Sequence, residues 1–199
     1  MNVVILQAGL RSPSSTRLLA DELAREVGAA VPGSSVRVVD LRDHAHAIMD
    51  AMLQGFAAPD LQEVLDAVVA ADGLVVVTPT FQASYSGLFK SFIDLIEPGT
   101  LREVPTILAA TGGTERHSLV LEHALRPLMV HLGADPVRTA IFAATSDFGS
   151  PALSGRARRA AGELAARLGV ASAAERGEAP KNAEPEDFES MMARMGVGR

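Results

Sequence analysis

The chain has 199 residues, 48% of them hydrophobic, and a formal net charge of −6. This length suits one α/β domain with a sizeable core and is short for two. The absence of cysteine excludes disulfides, thiolate metal sites and a cysteine nucleophile. Scattered basic residues disfavour nucleic acid as a partner. No apolar run reaches the roughly 20 residues of a membrane span, and the first residues read as a strand and not as a signal peptide, so we expect a cytoplasmic protein without a membrane partner.

Five apolar, β-rich segments alternate with amphipathic helical segments along the chain. The predicted strands span residues 3–7, 35–41, 73–78, 104–110 and 137–143. The predicted helices span residues 14–30, 60–71, 88–96, 119–132 and 156–168, whereas residues 42–58 fit neither pattern. Strands joined by helices run parallel, because parallel neighbours need right-handed crossover connections. We therefore predict an α/β fold: a doubly wound five-stranded parallel sheet of order 2-1-3-4-5 with helices on both faces.

In a sheet of this order, ligands bind beyond the carboxyl ends of the strands where the winding reverses. The first loop at this edge, residues 8–17, leads directly into the first helix. We predict Ser12 as the N-cap of that helix and Pro13 in its first turn. Free N–H groups and the helix dipole form an anion site there, to which the loop adds hydroxyls and positive charge: Arg11, Ser12, Ser14, Ser15, Thr16 and Arg17.

A serine-rich loop that only caps a helix explains this composition equally well. The loop lacks the G-x-G-x-x-G of a dinucleotide pyrophosphate site and the G-K-[ST] of a P-loop. If it does bind an anion, a monophosphate such as that of FMN is the better match.

The second loop, residues 78–87, sets two aromatic residues among small and polar ones. Aromatic side chains in a loop at a switch point favour a planar ligand or a partner subunit, although Phe81 could instead fill the core. The residues predicted to bind the ligand are Pro79, Thr80, Phe81, Gln82, Ser84 and Tyr85.

The third loop contains paired glycines directly after a strand. Thr111, Gly112 and Gly113 would let backbone amides approach a ligand closely, although an ordinary glycine turn has the same composition. His117 follows one turn later and could orient the loop or a nicotinamide ring. Because the three loops follow strands 1, 3 and 4, one crevice can collect them.

These three loops resemble those of the NAD(P)H-dependent FMN reductase family. The family patterns G-S-x-R-x-x-S-x-[NT]-R, P-x-Y-x-x-S-x-x-G-x-L-K-x-x-x-D and A-T-G-G-[ST]-x-x-H fall on residues 8–17, 79–94 and 110–117. Ala8 and Gly9 depart from the usual Gly-Ser, and Phe81 replaces a frequent Tyr. The similarity is greatest to reductases that supply reduced FMN to two-component monooxygenases, such as those acting on alkanesulfonates.

The resemblance implies a flavodoxin-like FMN-binding domain over residues 1–170, with FMN and NADPH or NADH as cofactors. It implies hydride transfer from nicotinamide to flavin without an obligatory catalytic side chain, so the protein supplies binding and orientation. Amides at residues 111–113 would stabilise charge on the reduced flavin. It also implies free flavin and nicotinamide nucleotide as small-molecule partners, a flavin-dependent monooxygenase as a possible protein partner, and a homodimer or homotetramer. Tyr85 would lie either beside the flavin or in a distorted helix at a subunit interface.

Three alternatives stay open at this point. The enzyme could keep FMN bound and reduce a quinone, an azo dye or a metal oxyanion. It could be an electron carrier, although carriers surround flavin with acidic residues and often Trp, whereas this chain has no Trp and its second loop contains no carboxylate. It could also be a non-catalytic nucleotide-binding protein. No metal site is predicted, because His44 and His46 have no Cys and no further His near them, which favours a solvated loop.

Residues 171–199 are rich in Ala, Glu and Pro and are predicted to be a tail. Its apolar positions recur at helical spacing, which favours either docking on a neighbouring subunit or a frayed end: Phe188, Met191, Met192 and Met195.

Overall fold

A twisted sheet with helices on both faces makes up the computed structural model, which describes residues 1–170. The predicted tail, residues 171–199, and its apolar stripe lie outside the described residues. The strands are β1 (Asn2–Gln7), β2 (Ser35–Asp40), β3 (Gly73–Phe81), β4 (Ser84–Tyr85), β5 (Pro105–Gly112), β6 (Asp135–Pro136) and β7 (Ile141–Ala144). The α-helices are α1 (Ser15–Ala30), α2 (Ala45–Gln54), α3 (Pro59–Val69), α4 (Gly87–Ile93), α5 (Arg126–His131) and α6 (Pro151–Arg167).

The strand order follows the prediction. Strands β2, β1, β3 and β5 lie side by side and run parallel. Both β6 and β7 pair parallel with β5, the first at its start and the second at its end, so together they form the fifth strand. The order 2-1-3-4-5 is therefore confirmed. The one addition is β4, which pairs antiparallel with the end of β3.

The two faces of the sheet carry separate apolar layers. In β1, Val3 and Ile5 pack into the layer covered by α1 and α6, whereas Val4 and Leu6 pack into the layer covered by α2, α3, α4 and α5. All four side chains are buried. A strand covered on both sides has no polar face, which explains the continuous apolar runs in the sequence.

The segment without a clear pattern, residues 42–58, contains a 3-10 turn at Leu41–His44 followed by α2. Within α2 only Ile48 and Ala51 are buried. Its other large apolar residues are exposed, so the helix has no single apolar face for periodicity to reveal: Met49, Met52 and Leu53.

Three helices differ from their predicted bounds by three or more residues: α4 ends at Ile93 and not at residue 96, and the other two differ for local chemical reasons. The predicted helix 119–132 is a π-helical turn at Leu121–Leu125 followed by α5. Pro127 has no N–H to donate, so a regular hydrogen-bond ladder cannot pass through it, and the wider turn absorbs the mismatch. Helix α6 begins earlier than residue 156, because Ser150 caps it by accepting a hydrogen bond from the Leu153 amide at 3.3 Å.

The predicted strand 137–143 is interrupted by a clamp from α6. The Thr139 amide and hydroxyl both donate to the Glu163 carboxylate, at 2.7 and 2.6 Å. The strand is interrupted between β6 and β7 because the Thr139 N–H donates to a side chain instead of to a neighbouring strand.

Parallel pairing aligns the carboxyl ends of the central strands at one edge. Gln7 lies beside Val77, and Pro79 lies beside Thr111. The loops that follow β1, β3 and β5 therefore leave the sheet next to one another. No helix within residues 1–170 has both the length and the apolar character needed to cross a bilayer.

Replacing Glu163 with Ala removes the carboxylate that accepts hydrogen bonds from the Thr139 amide and hydroxyl. We expect the free energy of unfolding to fall by about 1–3 kcal/mol, measured by urea denaturation. The control is Glu63→Ala, because the Glu63 side chain is 72% exposed and pairs with Arg37, and this change should alter stability by at most about 0.5 kcal/mol. Equal effects of the two substitutions would contradict the clamp.

Candidate functional site

A cleft of about 500 Å³ opens at the carboxyl edge of the sheet, between the loops that follow β1, β3, β5 and β7. This volume lies in the range of small-molecule sites, which is roughly 300–1,000 Å³. Its lining consists of residues 9–11, 13–16, 79–81 and 111–113 together with Thr145. One positively charged side chain, Arg11, and no carboxylate belong to this set, so the cleft favours an anionic ligand.

The cleft brings together ten of the residues that the sequence singled out: Arg11, Ser14, Ser15, Thr16, Pro79, Thr80, Phe81, Thr111, Gly112 and Gly113. Five others are outside its lining: Ser12, Gln82, Ser84, Tyr85 and His117. Ser12 is exposed in the first loop, Gln82 is exposed at the tip of the β3–β4 hairpin, and Ser84 and Tyr85 form β4. His117 lines a separate, smaller cavity.

Sequence reasoning missed Thr145 in this lining. Thr145 follows β7, the second half of the fifth strand, and begins a 3-10 turn at Thr145–Asp147. The predicted ligand residues all lie in the loops after strands 1, 3 and 4. The polar run after the strand predicted at 137–143 is the feature that could have revealed it, because the fifth strand ends at the same edge of the sheet.

Ser14, and not Ser12 as predicted, caps α1. The Ser14 hydroxyl accepts a hydrogen bond from the Arg17 amide at 3.3 Å. Pro13 lies before the helix, so its predicted place in the first turn is also wrong. The displaced cap puts Ser14, Ser15 and Thr16 at the positive end of a 16-residue helix, in the wall of the cleft.

Gly9 departs from the family pattern, and its neighbours leave no space for a side chain at this position. The buried Gly9 amide donates to Gln7 Oε1 at 2.8 Å. A Cβ at Gly9 would lie 2.3 Å from Ser14 Oγ and 2.9 Å from Gln7 Oε1, closer than such atoms can approach. In this chain a serine at that position would collide with the capping hydroxyl.

The two arginines of the first loop have different roles. Arg11 lines the cleft and forms no ion pair within residues 1–170. Arg17, which was expected to offset ligand charge, instead pairs with Asp21 at 2.8 Å and is outside the cleft lining. Arg11 therefore supplies the cationic group of the cleft.

A buried hydrogen bond ties the first loop to the third. The hydroxyls of Thr16 and Thr111 are 2.9 Å apart and buried, so they join the start of α1 to the end of β5. The Ala8 amide donates to the Val77 carbonyl at 2.9 Å and joins the same loop to β3. These bonds hold three walls of the cleft at fixed separations.

The second loop is a hairpin with a two-residue turn. Gln82 and Ala83 have φ values of 47° and 63°, a conformation that suits hairpin turns but is unfavourable for residues other than glycine, asparagine and aspartate. Thr78 Oγ1 closes the hairpin by accepting from the Ser86 amide at 3.0 Å. A turn held against its preference in this way is typical of a functional loop.

The hairpin separates the two aromatic rings. Phe81 lines the cleft with 44% of its surface exposed, so it does not fill the core. The Tyr85 ring packs edge-on against Phe89 at a centroid distance of 6.0 Å. Tyr85 itself lies in β4 and not in a distorted helix, but the π-helical turn at Leu121–Leu125 is in contact with β4.

The two glycines of the third loop face different surroundings. A Cβ at Gly112 would lie 2.7 Å from Phe142 Cζ, whereas a Cβ at Gly113 would meet nothing within 4 Å. Gly112 is thus needed for packing on Phe142, and Gly113 leaves room in the cleft for a ligand.

The cleft fits a planar ligand with one phosphate. Arg11, the start of α1 and the Ser15 hydroxyl match a phosphate, and Phe81 and the glycine loop match a flat ring. The Thr80 hydroxyl is buried in this wall without a hydrogen-bond partner among the described residues. Within residues 1–170, no group of three His, Asp or Glu side chains could hold a metal ion.

Comparison with known proteins identifies what the chain is similar to. The family model of NADPH-dependent FMN reductases matches residues 1–149. An FMN reductase (NADPH) from Pseudomonas aeruginosa is 41% identical over 146 residues, which cover 73% of this chain and 78% of that protein. The NADH-dependent FMN reductase SfnF from Pseudomonas putida is 37% identical over 148 residues, covering 74% of this chain and 80% of its own.

Solved structures agree with this result. The X-ray structure of an oxidoreductase from Corynebacterium diphtheriae superposes with a TM-score of 0.81 at 45% identity and covers 86% of this chain and 98% of its own. A flavodoxin from the domain Archaea has a TM-score of 0.58 at 11% identity, covering 85% and 99%, and shows likeness of fold alone. The predicted flavodoxin-like fold is confirmed.

We expect the same substitution to destabilise the protein at Gly112 and to have little effect at Gly113. Gly112→Ala should lower the free energy of unfolding by about 1–3 kcal/mol, because the new methyl group meets Phe142. Gly113→Ala should change it by at most about 0.5 kcal/mol, because its Cβ enters open space. Urea denaturation measures both. A Gly112→Ala protein as stable as the wild type would contradict the contact, and a double-mutant cycle with Phe142→Leu should show coupling.

Proposed function

The chain belongs to the NADPH-dependent FMN reductase family, and we propose that its cleft binds FMN and reduces it with NADH or NADPH. The observation that carries the proposal is the cleft itself, where Arg11 and the start of α1 lie in one wall and Phe81 and Gly113 in others. Bound flavin supplies the hydride-accepting ring, and nicotinamide supplies the hydride. The residues of the chain have to bind, orient and shield.

Phosphate binding is proposed for the first loop. Arg11 would pair with the phosphate, and the Ser15 hydroxyl and the amides at the start of α1 would donate to it. Ser14 and Thr16 have prior hydrogen bonds, to the Arg17 amide and to Thr111, so their proposed role is to hold the loop in shape. Ser12 lies outside the cleft lining and would contribute through the backbone of the loop.

Ring binding is proposed for the hairpin and the third loop. Pro79, Thr80 and Phe81 would cover one side of the ring system, and backbone groups of Thr111, Gly112 and Gly113 would approach its polar edge. Gln82 at the hairpin tip would border the nicotinamide. Ser84 and Tyr85 would act indirectly, because β4 braces the hairpin. No side chain of the cleft has to exchange a proton for hydride transfer to occur.

We further propose that reduced flavin is released to a flavin-dependent monooxygenase. Support comes from the open cleft, in which Phe81 is 44% exposed and one arginine provides the charge. A reductase that exchanges flavin needs such a site, whereas a carrier holds flavin permanently. A cytoplasmic location belongs to this proposal, because reduced nicotinamide nucleotides are supplied there.

A homodimer or homotetramer is proposed as the working form. Support comes from α2 and the turn after it, which expose several large apolar side chains on one part of the surface: Met49, Met52, Leu53 and Phe56. Exposed apolar surface of this kind is typical of an interface between subunits.

Oxidation of NADH and NADPH by the apoprotein, with and without free FMN, tests the function. We expect turnover that saturates with free FMN. The loss of nicotinamide absorbance measures this turnover. Turnover that needs a quinone acceptor would favour a reductase that retains FMN. No turnover with any acceptor would contradict an enzyme and favour a carrier or a binding protein.

Removing the charge of Arg11 tests phosphate binding. Arg11→Ala should weaken FMN binding by about tenfold and leave riboflavin binding unchanged, because riboflavin has no phosphate. Titration followed by flavin fluorescence measures both affinities. Arg17→Ala is the matched control, since Arg17 pairs with Asp21, and it should retain the preference for FMN. An Arg11→Ala protein with an intact preference would contradict the assignment.

A further inference from the structure

A second, smaller cavity lies beside the cleft. It encloses about 140 Å³ and is lined by Ala83, Arg116, His117, Leu119, Val120 and His123. Three of these six side chains are basic or can become so, and none is acidic. The volume is below the range of sites for whole small molecules, so this cavity suits one part of a larger, anionic ligand.

The cavity adjoins the ring end of the proposed flavin site. Ala83 lies in the hairpin turn, two residues after Phe81, which lines the cleft. His117 Cβ is 3.6 Å from the position of a Cβ on Gly112, another residue of the cleft. No residue of the cavity belongs to the first loop, where the flavin phosphate is proposed to bind.

The charge in this cavity is available for binding. Arg116 and His117 are exposed and form no ion pair within residues 1–170. The nearby carboxylate of Glu122 is engaged by Arg126, which donates to it at 2.7 and 3.0 Å. This hydrogen bonding holds the pKa of Glu122 below its ordinary value, so its charge stays compensated by Arg126.

Glu115 is the other acid next to these residues in the sequence. It is exposed and does not line the cavity. Leu119, 61% exposed at the rim, adds an apolar surface of the kind that a sugar or a base can cover.

We propose that Arg116, with His117 and His123, binds a phosphoryl group of the nicotinamide dinucleotide and so positions its ring over the flavin. The inference rests on the proposed function, since that reaction brings a second, phosphate-rich substrate to the ring end. Both the diphosphate, shared by NADH and NADPH, and the 2′-phosphate, present only in NADPH, have the required chemistry. Arg116 is the strongest contributor, because a guanidinium is always charged and donates to two phosphate oxygens at once.

Calorimetric titration of the FMN-loaded protein with NAD⁺ and NADP⁺ tests the inference without turnover. Arg116→Gln should weaken dinucleotide binding by about tenfold, and Arg116→Lys should restore part of it. Weaker binding of both nucleotides would assign the cavity to the diphosphate, and weaker binding of NADP⁺ alone would assign it to the 2′-phosphate. Either result supports the proposal. The KM of the corresponding reduced nucleotide should rise in parallel, with little change in kcat.

The control variant is Arg159→Gln, an exposed arginine of α6, which should bind both nucleotides like the wild type. Unchanged affinities of Arg116→Gln for both dinucleotides would overturn this inference and leave the proposed function untouched. Weakened FMN binding in Arg116→Gln, matched to the loss of dinucleotide binding, would assign the cavity to flavin and also overturn it. A wild-type protein that binds neither FMN nor the dinucleotides would instead overturn the proposed function.

Discussion

The parallel register of three central strands is the constraint on which the rest of the structure depends. Gln7 beside Val77 and Pro79 beside Thr111 make β1, β3 and β5 end at one edge, so their loops must share a cleft. The buried contact between the Thr16 and Thr111 hydroxyls then fixes the first loop against the third. The proposed phosphate site and the proposed ring site thereby share one cleft, although Thr16 and Thr111 are 95 positions apart in the chain.

Much of this arrangement could be predicted from local sequence. Buried strands give continuous apolar runs, and a strand followed by a serine-rich helix start identifies the first loop. What escaped prediction depends on distant contacts. The N-cap of α1 is Ser14 and not Ser12, and the Ser14 hydroxyl occupies space next to Gly9 that a Cβ there would need. The fifth strand is broken because Thr139 binds Glu163. The sequence of residues 137–143 alone does not predict this contact.

The paired glycines show the same limit at the level of single atoms. Both follow one strand, and sequence reasoning treated them alike as residues that admit a ligand. The structure separates them, because Gly112 faces Phe142 of β7 and Gly113 faces open space. Thr145 was missed for a related reason: it enters the cleft only because β7 pairs with the end of β5. Prediction of the fold thus extends further than prediction of the site.

The two anion sites proposed above depend on arginines from different loops. Arg11 lies in the loop after β1, and Arg116 lies in the loop after β5. Hydride transfer requires two phosphorylated nucleotides to meet at their rings, with their phosphates apart because like charges repel. A single cationic loop could not bind both without forcing those charges together. In the proposed arrangement two arginines from separate loops would satisfy that requirement and would leave the ring contact itself to Phe81 and the glycine loop.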